Sequence, residues 1–229
     1  MSAEDDLISA LRQFFPERAE GLAGFLKQEN GRACKLEEWR ERQLINFIQT
    51  LTLSANDLER AFIERRTTTL AWTTRNLLEL SIWIDYCNLS NANAKRFRDD
   101  AARDLLGFSR AIQSLQVHET GIEDAGLQAA QQRLGTFAQS WGIGALEDDF
   151  TKVSAAAKEL GREKSYLCLN KLLSKLAHPT AWAVNSVHSV DADEDFREMF
   201  FSDGVEFATD ALTSVRTFVI THLPLPGHI

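Results

Sequence analysis

Few residues in this sequence can stop a helix: 4 prolines and 12 glycines among 229 positions. Long stretches are left without a backbone breaker. Cysteine is equally scarce. Cys34, Cys87 and Cys168 are odd in number and widely spaced, which excludes a disulfide framework and a paired-cysteine metal knuckle. No apolar run approaches the ~18–20 residues that a membrane span needs. The opening MSAEDD is acidic where a signal peptide is basic, so the expected location is cytoplasmic, with no membrane partner. Phosphate-binding glycine loops and a G-x-S-x-G elbow are both missing, and GIGALE at Gly142 lacks the third glycine of a dinucleotide fingerprint. The five histidines never occur as H-x-x-x-H or behind E-x-x-H, which removes the usual zinc and di-iron patterns. His188 with Asp191 is too small a ligand set for a site. No cofactor and no metal are implied.

What is present is helical patterning in a chain long enough for one large core. A first helix is expected to stop near Phe15-Pro16, and a second to run to about Asn30. A third begins near Lys35. Ser54, with Asp57 three residues on, reads as the cap of the longest helix, reaching Cys87, about 45 Å at 1.5 Å rise. Further helices are expected from Asn91 to Val117, from Gly121 to Gly142, from Glu147 to Leu160, from Glu163 to Ala177 and from Gly204 to His222. Period-two alternation is confined to VNSVHSV. The expected fold is an all-α bundle with more than ~60% helix against a base rate near one third. Residues 1–32 form an appended helical pair and residues 33–229 the bundle domain. Trp72, Leu77, Leu80, Trp83, Ile84, Leu169, Leu172, Leu173, Val215 and Val219 are the expected core.

Charge narrows the partners. The formal net charge is −8, which weakens non-specific attraction to phosphate backbones. Short basic groups, at Arg60, Arg65 and Arg66, at Lys95, Arg96 and Arg98, and at Lys171 and Lys175, have carboxylates close by and read as solvated helix faces.

Two polar features interrupt apolar faces. On a wheel of 100° per residue, Arg75 and Glu79 fall inside the aromatic stripe of Trp72, Trp83 and Tyr86, while Leu77, Leu80 and Ile84 hold the opposite side. The pair is therefore expected inside the bundle, either as a structural ion pair that fixes register or as part of a polar pocket. Sealed from water, it would make Glu79→Ala cost ~3–5 kcal/mol. Threonines crowd the preceding turns, poor helix residues whose hydroxyls can bond back to carbonyls or serve such a pocket. On the Glu163–Ala177 helix, Cys168, Leu169, Leu172, Leu173 and Leu176 form the expected buried face. Tyr166, Asn170, Ser174 and His178 step along its edge at intervals of four. Pro179 biases His178 out of the helical region, to the helix end. Arg75, Glu79 and His178 are expected in one polar cluster, with Tyr166, Asn170 and Ser174 adding hydrogen bonds.

TRNLLELSIWIDY followed by YLCLNKLLSKLAHPTAW resembles an uncharacterised family of bacterial helical proteins that is similar to the HEPN (higher eukaryotes and prokaryotes nucleotide-binding) superfamily. The resemblance rests on Arg75 and Glu79 on one helix and on Ser174, His178 and Pro179 closing another, and it covers roughly residues 55 to 222. It implies a four- or five-helix core, frequent homodimerisation, and relatives in RNA cleavage, toxin–antitoxin pairs and phage defence. Catalytic members carry an arginine four to six residues ahead of a histidine. No arginine stands so before His178, but Arg216-TFVIT-His222 has that spacing. Three readings stay open. One is a binding module for a protein partner, nucleotide or RNA. The second is a metal-independent endoribonuclease, with His222 or His178 as general base and an arginine stabilising the phosphorane. The third is a ligand-free scaffold.

Overall fold

The computed structural model describes residues 8–9, 11–12, 15–33, 35–119, 128–129, 132–133, 136, 151–178, 180–181, 184–185, 189 and 193–223. Among the described residues the continuous helices are α1 (Phe15–Ala33), α2 (Glu38–Ile63), α3 (Thr67–Leu89), α4 (Asn91–Glu119), α5 (Val153–Glu159), α6 (Glu163–Ala177) and α7 (Glu194–His222). Among the described residues there is no strand. The all-α expectation holds. The helices expected over residues 2–15 and 121–142, the VNSVHSV segment and the His188/Asp191 pair lie wholly or largely outside the described residues.

Three helix boundaries differ from the sequence reading, the first being the start of α5, which lies at Val153 after non-helical Thr151 and Lys152 rather than at Glu147. Ser54 and Asp57 lie inside α2, and the break falls ten residues later, at Glu64–Arg66. There the Arg66 N–H donates to Ala61 O at 2.9 Å and the Arg65 N–H to Phe62 O at 3.1 Å, the paired bonds of a Schellman turn. Arg65 takes the left-handed position at φ 54° that glycine normally fills, so no glycine announces the stop. The same turn closes α5, with Gly161 at φ 71°, and here the expected end is right. The last helix begins at Glu194 rather than Gly204, because the Asp193 side chain accepts the Phe196 N–H at 3.1 Å and caps it.

Gly204 has a packing role instead of a terminal one. A Cβ there would sit 2.6 Å from a Leu58 methyl, so any larger residue would push the end of Leu58 aside where α7 crosses α2. Beside it, Thr74 donates its hydroxyl to Phe200 O at 2.8 Å, joining α3 to α7. Asn88 makes a second link to Ser214 Oγ at 3.0 Å. Both links are fourteen residues apart, so α3 and α7 run parallel. Antiparallel to them lies α2, its Phe62 ring stacked on Phe201 at 4.1 Å. Leu51, Leu58, Leu70, Leu77, Ile82, Phe200 and Val215 are the buried apolar side chains of these three helices that matter most to the core.

By compactness the chain forms two units, residues 1–89 with 153–229, and residues 90–152. α1 belongs to the first unit, against α2 and α7. Asn30 staples the α1–α2 connection, accepting the Leu36 N–H at 2.8 Å. In the second unit, α4 is capped by Ser90, which accepts the Asn93 N–H at 3.1 Å. Further along, Asp100 pairs with Arg103 and accepts the Thr151 N–H.

Candidate functional site

α6 packs antiparallel on α3, and the contact is a ladder of polar rungs. At one end Arg162 bonds Asp85 at 2.7 Å. At the other, the guanidinium of Arg75 gathers three partners. Its Nε donates to Asn170 Oδ1 at 2.8 Å and to Glu79 Oε1 at 3.1 Å. Nη2 also reaches Glu79 Oε1, at 3.1 Å, and Nη1 lies 3.0 Å from His178 Nε2. An arginine can only donate, so His178 Nε2 is the acceptor and its proton sits on Nδ1. Ser174 donates to Asn170 Oδ1 at 3.3 Å, which turns the Asn170 amide nitrogen away from the arginine.

The local sequence explains this convergence. Arg75 and Glu79 are one turn apart on α3. Asn170, Ser174 and His178 step along α6 every four residues, and His178 leaves the helix at φ −114°, ψ 153°, the extended geometry a following proline favours. Tyr166, buried at the same interface, has its phenol pKa pushed up. Burial is the main cause and the Glu79 charge adds to it, against the opposing Arg75 charge.

The expected cluster of Arg75, Glu79, Asn170, Ser174 and His178 is therefore present, with Tyr166 beside it, but it is not sealed. Arg75 and Glu79 keep 24% and 25% of their side-chain surface, and His178 is exposed. The 3–5 kcal/mol expected for Glu79→Ala falls to about 1 kcal/mol, the range of a part-solvated pair. Two features of the surroundings also depart from the sequence reading. Trp72, expected in the core, is 47% exposed, one turn before Arg75 on the same side of α3. Leu172 and Cys168 face outward while Tyr166, Leu173 and Leu176 are buried. α6 is rotated by about 60° relative to the expected face, because Arg75 and Glu79 offer partners to its polar ridge.

Arg216 and His222 do not converge. Six residues separate them on α7, about 120° apart at 100° per residue. Arg216 lines a slot against α1, whereas His222 borders a shallow hollow with Asn88 and Asp210. The His222 ring stacks on Phe218 at 4.0 Å, and its Nδ1 lies 2.9 Å from Phe218 O. Among the described residues no group of three or more His, Cys, Asp or Glu side chains is placed to hold a metal ion.

Arg40 escaped the sequence reading altogether. It is fully buried yet faces no carboxylate. Its Nη2 donates to Cys87 O at 2.8 Å and to Asn88 Oδ1 at 3.0 Å, and its guanidinium lies 4.7 Å over the Phe218 ring. The negative end of the α3 dipole and the ring face replace a counter-ion. Arg197 likewise lies 4.4 Å over Phe62 and reaches Phe62 O at the end of α2, but it also pairs with the Glu194 carboxylate. Spacing in the sequence does not mark Arg40, because its acceptor is a helix end that exists only once the chain has folded.

Comparison of the chain with protein-family models, with curated proteins and with solved structures finds no match.

Proposed function

We propose that this chain is a HEPN-like cytoplasmic binding module of bacterial stress or defence, and that the Arg75–Glu79–Asn170–His178 groove is where its ligand docks. The observation that carries this is the opening of the cluster to solvent. A pair kept only to fix helix register would be expected in the dry interior, whereas this one is a quarter exposed. Within the cluster, Arg75 uses one N–H on each terminal nitrogen and keeps the second of each uncommitted among the described residues. Asn170 presents its amide nitrogen, Lys171 and Lys175 are exposed on the same helix, and Trp72 offers a flat ring. Donors beside an aromatic face suit a phosphate-bearing or planar ligand, a nucleotide or a segment of RNA. Arg75, Lys171 and Lys175 set positive charge along these two helices in a chain of net charge −8. Pairing as a homodimer belongs to the same proposal and is checked by light scattering at micromolar concentration.

A second reading is favoured by one distance. With the His178 imidazole 3.0 Å from Arg75 Nη1, an acid–base group and a cationic donor stand together, the two groups a metal-independent ribonuclease needs. The deciding experiment incubates the purified chain with ribonucleotides and with bulk RNA in EDTA. The binding reading expects saturable binding lost in Arg75→Met and Asn170→Ala, both still helical by circular dichroism, and no cleavage. Cleavage abolished by His178→Ala establishes the ribonuclease. Neither binding nor cleavage leaves a structural ladder and rejects both readings.

A further inference from the structure

α6 and α7 each carry an outward row of one charge, and neither row finds its counterpart within the chain. On α6, Lys164, Lys171 and Lys175 fall within about 40° of one another at 100° per residue, all of them exposed. Between Lys164 and Lys175 the helix has no carboxylate. On α7, Asp195, Glu206 and Asp210 share a strip about 60° wide, with Glu198 and Asp203 on its flanks. All but the half-buried Asp203 are exposed. The basic residue of that stretch, Arg197, is buried and paired with Glu194. Among the described residues, none of these lysines, and none of the carboxylates from Asp195 to Asp210, makes an ion pair.

The acidic row bears the mark of crowding. The Asp203 carboxyl has its pKa raised, by burial first and by the Glu206 charge second. Apolar side chains stand among the charges. Leu167 and Leu172 flank the lysines at 49% and 36% exposed, and Met199 lies within the acidic strip at 37%. The rows are similar in length, ~16 Å from Lys164 to Lys175 and ~22 Å from Asp195 to Asp210. Apolar contacts ringed by complementary charge suit a protein partner.

The occupant follows from both rows standing on one compact unit, where α6 and α7 each pack on α3. A nucleic acid, a lipid surface or an acidic protein would neutralise α6 and leave α7 uncompensated. A second copy supplies both counterparts. A two-fold axis then makes the contact twice, each α6 on the other copy's α7. We infer that the chain pairs with a second copy of itself through α6 and α7, lysine row against acidic row, with Leu167, Leu172 and Met199 between them. The inference rests on the pairing included in the reading above and gives it a surface. Lys171 and Lys175 also stand on the helix that borders the ligand groove, so an anionic ligand competes with the second copy for them.

The test is sedimentation of the full chain and of two charge-reversed variants. One variant carries Lys164→Glu, Lys171→Glu and Lys175→Glu. The other carries Glu198→Lys, Glu206→Lys and Asp210→Lys. The unaltered chain is a dimer at micromolar concentration in about 0.05 M salt, and about 1 M salt weakens it at least tenfold. Each variant alone is a monomer, because its two rows then have the same sign. Mixed in equal amounts, the variants form a one-to-one dimer, since each supplies the row that the other has lost. A monomeric unaltered chain overturns the inference, as does a dimer indifferent to salt. So does a variant that dimerises alone, or two helical variants that do not combine. The salt dependence needs no variant and decides even where one of them unfolds. The variant reversed on α7 keeps every groove residue, so its ribonucleotide binding tests the ligand reading separately.

Discussion

Tyr166 is a built-in reporter on the polar cluster, since the sequence has only 2 tyrosines. Burial first, then the Glu79 charge, raise its pKa, and Arg75 lowers it. Glu79→Gln should therefore move the phenol titration to lower pH, and Arg75→Met to higher pH, in an ultraviolet absorbance titration. Unmoved curves would mean that the three side chains do not meet. Cys87 reports on the other buried site. Burial pushes its thiol from an ordinary 9.0 up to about 12, against the opposing effect of Arg40. The folded chain holds that proton while the unfolded chain gives it up near pH 8.5–9, so unfolding releases a proton above that pH. Stability contributed by Cys87 is complete below about pH 8.5 and is lost progressively toward pH 12. Cys87→Ala should flatten this alkaline limb in denaturant titrations. Much of the polar cluster could be read from spacing, because Arg75 and Glu79 sit one turn apart in an aromatic stripe and α6 carries a four-residue polar ridge. Its openness could not be read, because a wheel gives the side of a helix and not the depth to which a neighbour covers it. Trp72 was misplaced for that reason.

Helix ends are where sequence and structure part company, and the two Schellman turns show why. Gly161 marks the end of α5 in any reading, whereas Arg65 does the same work at the end of α2 with a side chain that gives no warning. A left-handed non-glycine residue costs about 1–2 kcal/mol, and the Arg65–Glu194 ion pair that would be lost is exposed and worth little. Arg65→Gly should raise stability by about 1 kcal/mol in urea unfolding. Gly204 is the reverse case, a glycine that resembles a boundary but serves a crossing. Gly204→Ala drives a methyl against Leu58 and should cost about 1–3 kcal/mol. Leu58→Val in the same chain should recover part of that loss, which a helix-propensity effect would not.

At the scale of the whole helical unit, stability is unevenly shared. α2, α3 and α7 interlock through a deep apolar core, and Arg40 and Arg197 fasten the ends of α3 and α2 beneath aromatic rings. α6 is held differently, by Tyr166, Leu173 and Leu176 and by rungs that water reaches. Hydrogen exchange should separate the two regimes. Last-turn amides normally fray, but those of α2 and α3 should exchange only with global unfolding, while α6 amides exchange through a smaller opening at lower free energy. Arg75 and Glu79 thus stand on the slow half, and Asn170, Ser174 and His178 on the fast half. A molecule that bridges the two halves stabilises only the closed arrangement, by mass action. Its signature is added protection confined to α6, and the size of that protection reads out its affinity without the ligand needing to be labelled.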